Sequence, residues 1–248
     1  MSTETLIAIA LIAFLAAVCQ SVTAFGFALV MVPLLAVVWE VKPAVVTSTL
    51  LSTVFMVPLL YQVRTKVQVP AILPLLAGSL AGIPVGLAVL KRIDSDVLQV
   101  LVALMVVVAC LTLVRSRRAR AVRPHAATAL FAGGISGALR GATSMSGPPI
   151  VLYALSAFGD EVDDFRANVL GVLLPSSLVT IAGLAVAGLI DGDIGLACLA
   201  AAPTMVAGTI TGAWLRKRVS AALFRPVVLS VLVGSSAVVL ISSLMNSV

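Results

Sequence analysis

Arg140 is the only charged residue of this chain that lies far from the end of an apolar segment. It belongs to the stretch GISGALRGATSMSGPPIVLY, in which hydroxyl side chains lie between the arginine and two consecutive prolines. A guanidinium at membrane depth costs about 2.5–3.5 kcal/mol on insertion scales, so it needs a partner. The 10 acidic residues lie in loops or near the N-terminus. We therefore expect the partner to be a small anionic substrate, because the planar fork of an arginine offers two donors to sulfonate, sulfite or phosphate oxygens.

Two other roles for Arg140 are compatible with the sequence. Its side chain could cap the carbonyl groups at the end of the preceding helix, as basic residues near helix C-termini do. It could also extend along the helix until the guanidinium reaches water. Both alternatives are structural and place an anion site elsewhere.

The prolines after this arginine break its helix. They lack a backbone N–H and disfavour helix in the residue before them, so a continuous helix must end near Ser146. The expected pieces are residues 126 to about 139 and 149–158. Broken helices at membrane depth line cavities and commonly form transporter binding sites. Ser144, Ser146 and Gly147 lie just before the second piece, where the positive end of the helix dipole favours an anion, and they are predicted substrate ligands.

The composition predicts an all-α polytopic membrane protein. Of the 248 residues, 61% are hydrophobic and 10% are charged, which leaves no polar segment large enough for a soluble domain. The net charge of +6 comes mainly from short loops, which argues against a nucleic-acid partner and for a lipid bilayer. Six apolar segments approach the roughly 20 residues of a full bilayer crossing. They are residues 43–61, 69–90, 97–114, 165–189, 194–215 and 223–244.

The order of these segments is duplicated. A motif of two glycines and two basic residues, Gly82-x3-Gly86-x4-Lys91-Arg92, recurs 126 positions later. The glycine pairs predict close helix packing. A polar interruption at Phe25-Gly26-Phe27 likewise precedes Ser146-Gly147-Pro148 by 121 positions. We expect two inverted repeats, residues 1–114 and 126–248, joined by a basic cytoplasmic linker at 115–125. Each repeat is then a broken or re-entrant helix pair followed by three transmembrane helices.

The first break supplies further candidates for the same site. Gln20, Thr23 and Gly26 are predicted substrate contacts because they are polar and occupy the repeat-related position. Asn168 and Ser48 lie on the spans that follow the two breaks and are predicted to line the cavity. The other hydroxyl residues on these spans are Thr47, Thr49, Ser176, Ser177 and Thr180. For each hydroxyl, a bond back to a carbonyl of its own helix is the competing expectation.

The basic residues favour the inverted arrangement. If each broken segment returns to the face it entered and the linker is cytoplasmic, the inside loops carry 12 lysines and arginines and the outside loops 3. If each broken segment crosses once, the counts are 7 and 8, without bias. Because basic residues accumulate on the cytoplasmic side, we expect both termini to be periplasmic. The 12 are Arg64, Lys66, the five linker arginines, Arg166, Arg216, Lys217, Arg218 and Arg225, and the 3 are Lys42, Lys91 and Arg92.

Residue types used in catalysis are scarce in the apolar segments. The single histidine, His125, lies in the linker, and no carboxylate lies in the membrane to act as acid, base or metal ligand. Cys19, Cys110 and Cys198 have no metal-ligand spacing. We expect no catalytic residue, no metal and no cofactor. A membrane-embedded enzyme and a scaffold for other membrane proteins are the alternatives from other classes, and a scaffold would give Arg140 no purpose.

These features together resemble a known family. The duplicated break followed by Pro33, the stretch around Arg140, the Phe165-Arg166-Ala167-Asn168 entry to the next span and the glycine pairs resemble TauE/SafE-type sulfite and organosulfonate exporters. The resemblance covers nearly the whole chain. It implies export of a small sulfur-containing anion, sulfite or an organosulfonate such as sulfoacetate, across the bacterial inner membrane through a central site formed by the two breaks. An importer or channel for another small anion is the alternative.

Overall fold

Every regular element of the computed structural model, which describes residues 2–23, 26–115, 125–158 and 161–218, is helical. This confirms the predicted all-α class. Most of the linker and the predicted span 223–244 lie outside the described residues. The elements are α1 (Thr3–Thr23), α2 (Phe27–Val38), α3 (Val41–Val63), a 3-10 turn (Arg64–Lys66), α4 (Val69–Arg92), α5 (Ser95–Arg115), α6 (Ala126–Thr143), α7 (Gly147–Ala157), α8 (Val162–Val186) and α9 (Gly192–Arg218).

Among the described residues, 5 helices are long and apolar enough to cross a membrane. Their outward faces carry large apolar side chains such as Leu199 and Ile210, which suit contact with lipid. The chain is therefore a multi-pass membrane protein, as its composition predicts. The 5 stretches are Thr3–Ser21, Val41–Lys66, Val69–Arg92, Asp163–Val186 and Gly192–Leu215, and shorter apolar helices are Phe27–Val38 and Ser95–Ala109.

The break after Arg140 is present, but α6 ends later than predicted. The helix continues to Thr143, and Ser144 follows in the left-handed conformation with φ 63°. The Ser144 N–H donates to the Arg140 carbonyl at 2.8 Å, which closes the helix end. α7 begins at Gly147. The prolines are accommodated in the first turn of α7, where their missing N–H groups need no partner, and the left-handed Ser144 makes the turn. The arginine therefore lies inside α6 rather than beyond it.

The chain divides into two compact units. Unit 1 comprises Met1–Ser52, Ile93–Cys110 and Gly188–Val248, and unit 2 comprises Thr53–Arg92 and Leu111–Ala187. Each unit contains helices from both predicted repeats. The units therefore do not correspond to the sequence repeats, and the inverted relation of the repeats stays a prediction.

In unit 2, glycines allow α4 and α6 to touch along their backbones. A Cβ at Gly82 would overlap the carbonyl oxygen of Gly134. One turn later, a Cβ at Gly86 would overlap the carbonyl oxygen of Ala138. The residue numbers rise together on the two helices, so α4 and α6 run parallel. The close packing predicted for this glycine pair is confirmed.

Unit 1 contains an equivalent contact, in which the glycines belong to the second repeat and the helix they face belongs to the first. A Cβ at Gly208 of α9 would lie 2.5 Å from the carbonyl oxygen of Phe14 on α1. A Cβ at Gly212 would lie 2.9 Å from the carbonyl oxygen of Val18. These glycines are the second copy of the duplicated motif, and α9 and α1 also run parallel. The glycine-bearing helix of each repeat thus packs on the first helix of the other.

The direction of α8 shows how the second break is built. Contacts between α4 and α8 follow the same order on both helices, so α8 runs parallel to α4 and hence to α6. Only α7 and two short loops connect α6 to α8, and α7 must therefore run back toward the end at which both begin. The chain therefore reverses its direction at the second break, as a re-entrant pair would require. The contacting pairs are Gln68 with Asn168, Ser79 with Ser176 and Leu87 with Gly183.

Candidate functional site

Arg140 is buried and bonded to hydroxyl groups. The residue is 2% exposed and lies in the last turn of α6. Its Nε donates to Ser146 Oγ at 3.1 Å, and its Nη1 donates to Ser177 Oγ at 2.6 Å. These bonds direct the guanidinium across the break toward α8, and neither goes to a carbonyl of α6. Within the described residues, neither the cap at the helix end nor an extension to water describes this side chain.

A serine one turn before the arginine holds the start of α7 in place. Ser136 Oγ donates to the carbonyl oxygen of Ser146. Ser136 and Arg140 are four residues apart and share one face of α6. Ser146 is thus bound twice by the same helix face, through its carbonyl and through its hydroxyl. The break is pre-organised by these two bonds, which lowers the cost of ordering it when a ligand binds.

The left-handed residue at the break has a hydroxyl without a partner. Ser144 is 3% exposed, and its Oγ makes no hydrogen bond to any described residue. A non-glycine residue in the left-handed region costs about 1–2 kcal/mol. An unpaired buried hydroxyl adds roughly 1–3 kcal/mol. Such costs concentrate at functional sites, where a ligand can supply the missing acceptor.

The first turn of α7 offers a positive potential and few backbone donors. The helix starts Gly147-Pro148-Pro149, so two of its first N–H groups are absent. The positive end of the helix dipole is still there. Side chains must then supply part of the hydrogen-bond donors for an anion, and Arg140, Ser144 and the N-cap Ser146 lie next to this end with N–H or O–H groups.

This group of side chains lies near the middle of two long helices. Ser177 follows the start of α8, a helix of 25 residues, by 15 positions. Its neighbour Ser176 faces Ser79 on α4, with 3.0 Å between the hydroxyl oxygens. Ser79 follows the start of α4, which has 24 residues, by 10 positions. Transporter binding sites built from broken helices lie at this depth.

No carboxylate pairs with Arg140 in the described part of the chain. The acids near the start of α8 are engaged by other cations, with Glu161 and Asp164 at 2.6 and 3.4 Å from Lys66 Nζ. Within the described residues, the charge of Arg140 is therefore stabilised by dipoles alone, those of the two hydroxyl groups and the negative end of the α6 helix dipole. A buried cation without a counterion is a candidate binding point for an anion.

Arg166 is a second buried arginine, which the topology prediction counted with the loops. It is 2% exposed, and its Nη1 lies 3.9 Å from Asp163 Oδ1, too far for a hydrogen bond. Its Nε has no partner among the described residues. Arg166 precedes Ser177 by 11 positions on α8, about 16 Å along the helix. It is therefore not part of the group around Arg140.

The first break, in unit 1, is held by an amide instead of an arginine. Gln20 Oε1 accepts the backbone N–H of Phe27, the first residue of α2, at 2.8 Å. Gln20 Nε2 has no partner among the described residues. Gly26 is the N-cap of α2, and Thr23 is the last residue of α1, with its side chain outside the described part. Each break thus carries one long polar side chain that reaches back across it.

The predicted cavity-lining hydroxyls divide into two groups. Four of them bond back to carbonyls of their own helices, at 2.7 to 2.9 Å, as the competing expectation states, and these are Thr49, Ser176, Ser177 and Thr180. Thr47 Oγ1 and Ser48 Oγ are fully buried and unpaired among the described residues. These two therefore remain candidates for a ligand contact.

Asn168 has a structural use in unit 2. Its Oδ1 accepts the Gln68 N–H at 2.8 Å, and its Nδ2 donates to the Asp164 carbonyl at 2.9 Å. It lies 9 positions before Ser177, about 13 Å along α8. The structure does not bring Asn168 to Arg140, whereas Ser144 and Ser146 lie directly beside it.

Two residues of this group were not predicted from the sequence. Ser136 could have been found from its spacing to Arg140, because residues four apart share a helix face. The Met56 sulfur lies 3.8 Å from Ser177 Oγ. Met56 is 121 positions away on α3, and nothing in its neighbourhood indicates this contact.

The model of the sulfite exporter TauE/SafE family matches residues 9–239, a range that includes both breaks and both glycine pairs. The chain belongs to this family. TauE/SafE proteins are transporters that export sulfite and related sulfur anions, so the family and the apolar helices together support transmembrane transport of sulfite. Neither the curated proteins nor the solved structures contain a match.

Proposed function

We propose that this protein exports a small sulfur-containing anion, sulfite or an organosulfonate such as sulfoacetate, across the bacterial inner membrane. Arg140 carries the proposal. Its guanidinium is buried near mid-length of the long helices, is bonded to hydroxyl oxygens and has no carboxylate partner among the described residues. A sulfite or sulfonate group provides the charge and the several acceptor oxygens that this arrangement lacks.

The substrate would use the donors that the protein leaves free. An arginine has five N–H donors, and the bonds of Arg140 to Ser146 and Ser177 use two of them. The remaining donors and the unpaired Ser144 hydroxyl would bind the anion. Ser146 and Ser177 would orient the guanidinium, and Gly147 would allow close approach because it has no side chain.

The residues of the first break remain proposed contributors. Gln20 Nε2 and Ser48 Oγ are buried donors without a partner among the described residues, which supports a ligand contact for each. Thr23 and Gly26 are retained because they occupy the break itself. Asn168 is the weakest member of the predicted set, since its amide is already used at the start of α8.

Export is the direction that the membrane potential favours for an anion. With the inside negative, transfer of one negative charge out of the cell is favoured by about 2.3 kcal/mol per 100 mV. An importer or a channel for another small anion is the alternative, and it would require the same buried arginine.

Flux into liposomes tests the proposal. The purified protein is reconstituted, and uptake of radiolabelled sulfite, sulfoacetate and chloride is followed under an imposed potential. We expect saturable uptake of the two sulfur anions, above that of protein-free liposomes, and little uptake of chloride. Chloride flux without saturation would favour the channel, and no flux of any sulfur anion would contradict the proposal.

A further inference from the structure

Arg166 is a buried cation of unit 2 that the proposed site does not use. We infer that Arg166 is a second binding point for the transported anion and holds its sulfite or sulfonate group at the start of α8 before the anion moves to Arg140. The inference rests on the proposed function and adds a residue to the path of the same substrate.

The first observation is that the Arg166 guanidinium is incompletely bonded. The residue is 2% exposed, and its Nε has no hydrogen-bond partner among the described residues. Its ion pair with Asp163 has 3.9 Å between Nη1 and Oδ1, too long for a hydrogen bond. The neighbouring acids Glu161 and Asp164 are held by Lys66, at 2.6 and 3.4 Å. A buried guanidinium with spare N–H donors is costly unless a ligand supplies the acceptors.

The second observation is that an anion from water can reach this guanidinium. Side chains on a helix point toward its start, so the Arg166 guanidinium lies nearer to the end of α8 than its own backbone does. Asp163, the residue beside Nη1, has a side chain that is 53% exposed. An arriving anion therefore displaces one carboxylate, which turns into water. Competition with this carboxylate keeps binding weak enough for release, as passage through several sites requires.

The third observation is that Arg166 and Ser177 lie on one face of α8. They are 11 positions apart, which is three turns plus about 20°, or roughly 16 Å along the helix axis. Ser177 uses this face to accept the hydrogen bond from Arg140. Leu170 and Leu173 occupy the same face between them, and both are buried. The two guanidinium groups thus lie at the ends of one buried apolar stripe, which begins at the start of α8 and ends near its middle.

The order of the two binding points follows from the predicted topology. With the linker inside, α8 begins on the cytoplasmic side, from which an exporter takes its substrate. Arg166 then captures the anion, and Arg140 receives it at the depth of the break.

A structural role for Arg166 makes the opposite prediction for its neighbour. If Asp163 competes with the substrate, Asp163→Asn strengthens capture of the anion. If the pair only anchors the start of α8, Asp163→Asn leaves a buried charge without its counterion, and the protein loses stability with no gain in transport.

Uptake of radiolabelled methanesulfonate into inside-out membrane vesicles tests the inference, because uptake in this orientation corresponds to export. Initial rates are measured over a range of concentrations at a fixed potential, and the rates of vesicles without the protein are subtracted. We expect Arg166→Gln to raise KM about tenfold, because charge-assisted hydrogen bonds are lost, and to change the rate at saturation much less. Asp163→Asn should lower KM.

Two further variants serve as controls. Arg166→Lys keeps the charge but loses the planar fork, so its KM should lie between those of the wild type and Arg166→Gln. Arg64→Gln removes an exposed charge from the turn that also contains Lys66, where Arg64 lies 3.7 Å from the centre of the Tyr61 ring. Its KM should equal that of the wild type.

The outcomes separate this inference from the proposed function. An unchanged KM for Arg166→Gln, or an equal rise for Arg64→Gln, would overturn the second binding point and leave the proposed function standing. If Arg166→Gln does not fold, Asp163→Asn decides, and a KM that is unchanged or raised would overturn the inference. Absence of both methanesulfonate and sulfite uptake by the wild type would overturn the proposed function and this inference with it.

Discussion

Ser177 Oγ accepts a hydrogen bond from Arg140 Nη1 at 2.6 Å, which ties the last turn of α6 to the middle of α8. The preceding residue, Ser176, faces Ser79 on α4 instead, at 3.0 Å. Two adjacent and equally buried serines thus serve different helices of unit 2. They form a matched pair for separating a role in the site from a role in packing.

Replacing each serine by alanine should have different effects. Ser177→Ala removes an acceptor of the guanidinium, and bonds to charged groups contribute roughly 1.5–3 kcal/mol, so we expect substrate binding to weaken about tenfold. Ser176→Ala should leave binding unchanged and lower the free energy of unfolding by about 0.6 kcal/mol, the average for interhelical bonds in membrane proteins. Calorimetric titration and thermal melting of both variants measure the two effects. Equal losses of affinity would mean that Ser177 has no special relation to the site.

Arg140→Gln should weaken binding and spare stability. Glutamine stays polar but loses the charge and the two-donor fork, so affinity for sulfite or sulfonate should fall at least about tenfold. Arg140→Lys keeps the charge but loses the two-donor fork, so its affinity should lie between that of the wild type and that of Arg140→Gln. Without substrate, the Gln variant should melt at the same or a higher temperature, because a buried charge lacking a counterion has been removed.

Arg92→Gln is the control for net charge, since this arginine is exposed at the end of α4. It should bind substrate as the wild type does. Added substrate should raise the melting temperature of the wild type and of Arg92→Gln, and not that of Arg140→Gln. An Arg140→Gln protein that transports normally but melts earlier would assign the arginine a structural role.

The glycine contact between α4 and α6 predicts a difference between two alanine variants. Gly82→Ala places a methyl group on the Gly134 carbonyl, and forced separation of packed helices costs roughly 1–3 kcal/mol. Gly134→Ala places it 3.9 Å from the Gly78 carbonyl oxygen, an ordinary contact. The melting temperature should therefore fall for Gly82→Ala and not for Gly134→Ala. Equal shifts would show that the helices are not in backbone contact.

Reporter fusions test the predicted topology. Fusions at Val248 and near Arg120 should report opposite sides of the membrane, periplasmic and cytoplasmic, because the inverted arrangement concentrates the basic residues inside. The same side for both would rule out inverted repeats with periplasmic termini.

Transport of a permanently ionised substrate should not require a proton gradient. No carboxylate lies inside an apolar segment to relay protons, so methanesulfonate flux should follow the membrane potential alone. Flux that responds to an imposed proton gradient at zero potential would reveal coupling through another group.

Features with a local physical cause were predictable from the sequence. The break before Pro148 follows from the missing N–H groups, and the packing of Gly82 and Gly86 follows from the absence of side chains. Four of the six predicted spans coincide with helices long enough to cross a membrane, whereas 97–114 matches a shorter apolar helix and 223–244 lies outside the described residues. The end of α6 was placed too early. A left-handed Ser144 ends this helix, and such a conformation in a non-glycine residue depends on surroundings that the sequence does not display.

The partners of the site residues depend on tertiary contacts. Arg140 was identified because a lone charge in an apolar segment is costly wherever its helix packs. Its bond to Ser177, the proximity of Met56 and the burial of Arg166 require the positions of other helices, which are not encoded in local spacing. The polarity of Asn168 suggested a ligand contact. In the structure, its amide oxygen accepts the Gln68 N–H and so joins α8 to the chain before α4.

The exchange of packing partners between the repeats has a consequence for biosynthesis. Gly212 lies against Val18, which precedes it by 194 positions. At roughly 5–20 residues per second, about 10–40 seconds pass between the synthesis of these two residues. α1 must therefore wait in the bilayer without this packing partner until α9 has been synthesised. The contact of α1 with α9 and that of α4 with α6 can each form only after helices of both sequence repeats have been inserted.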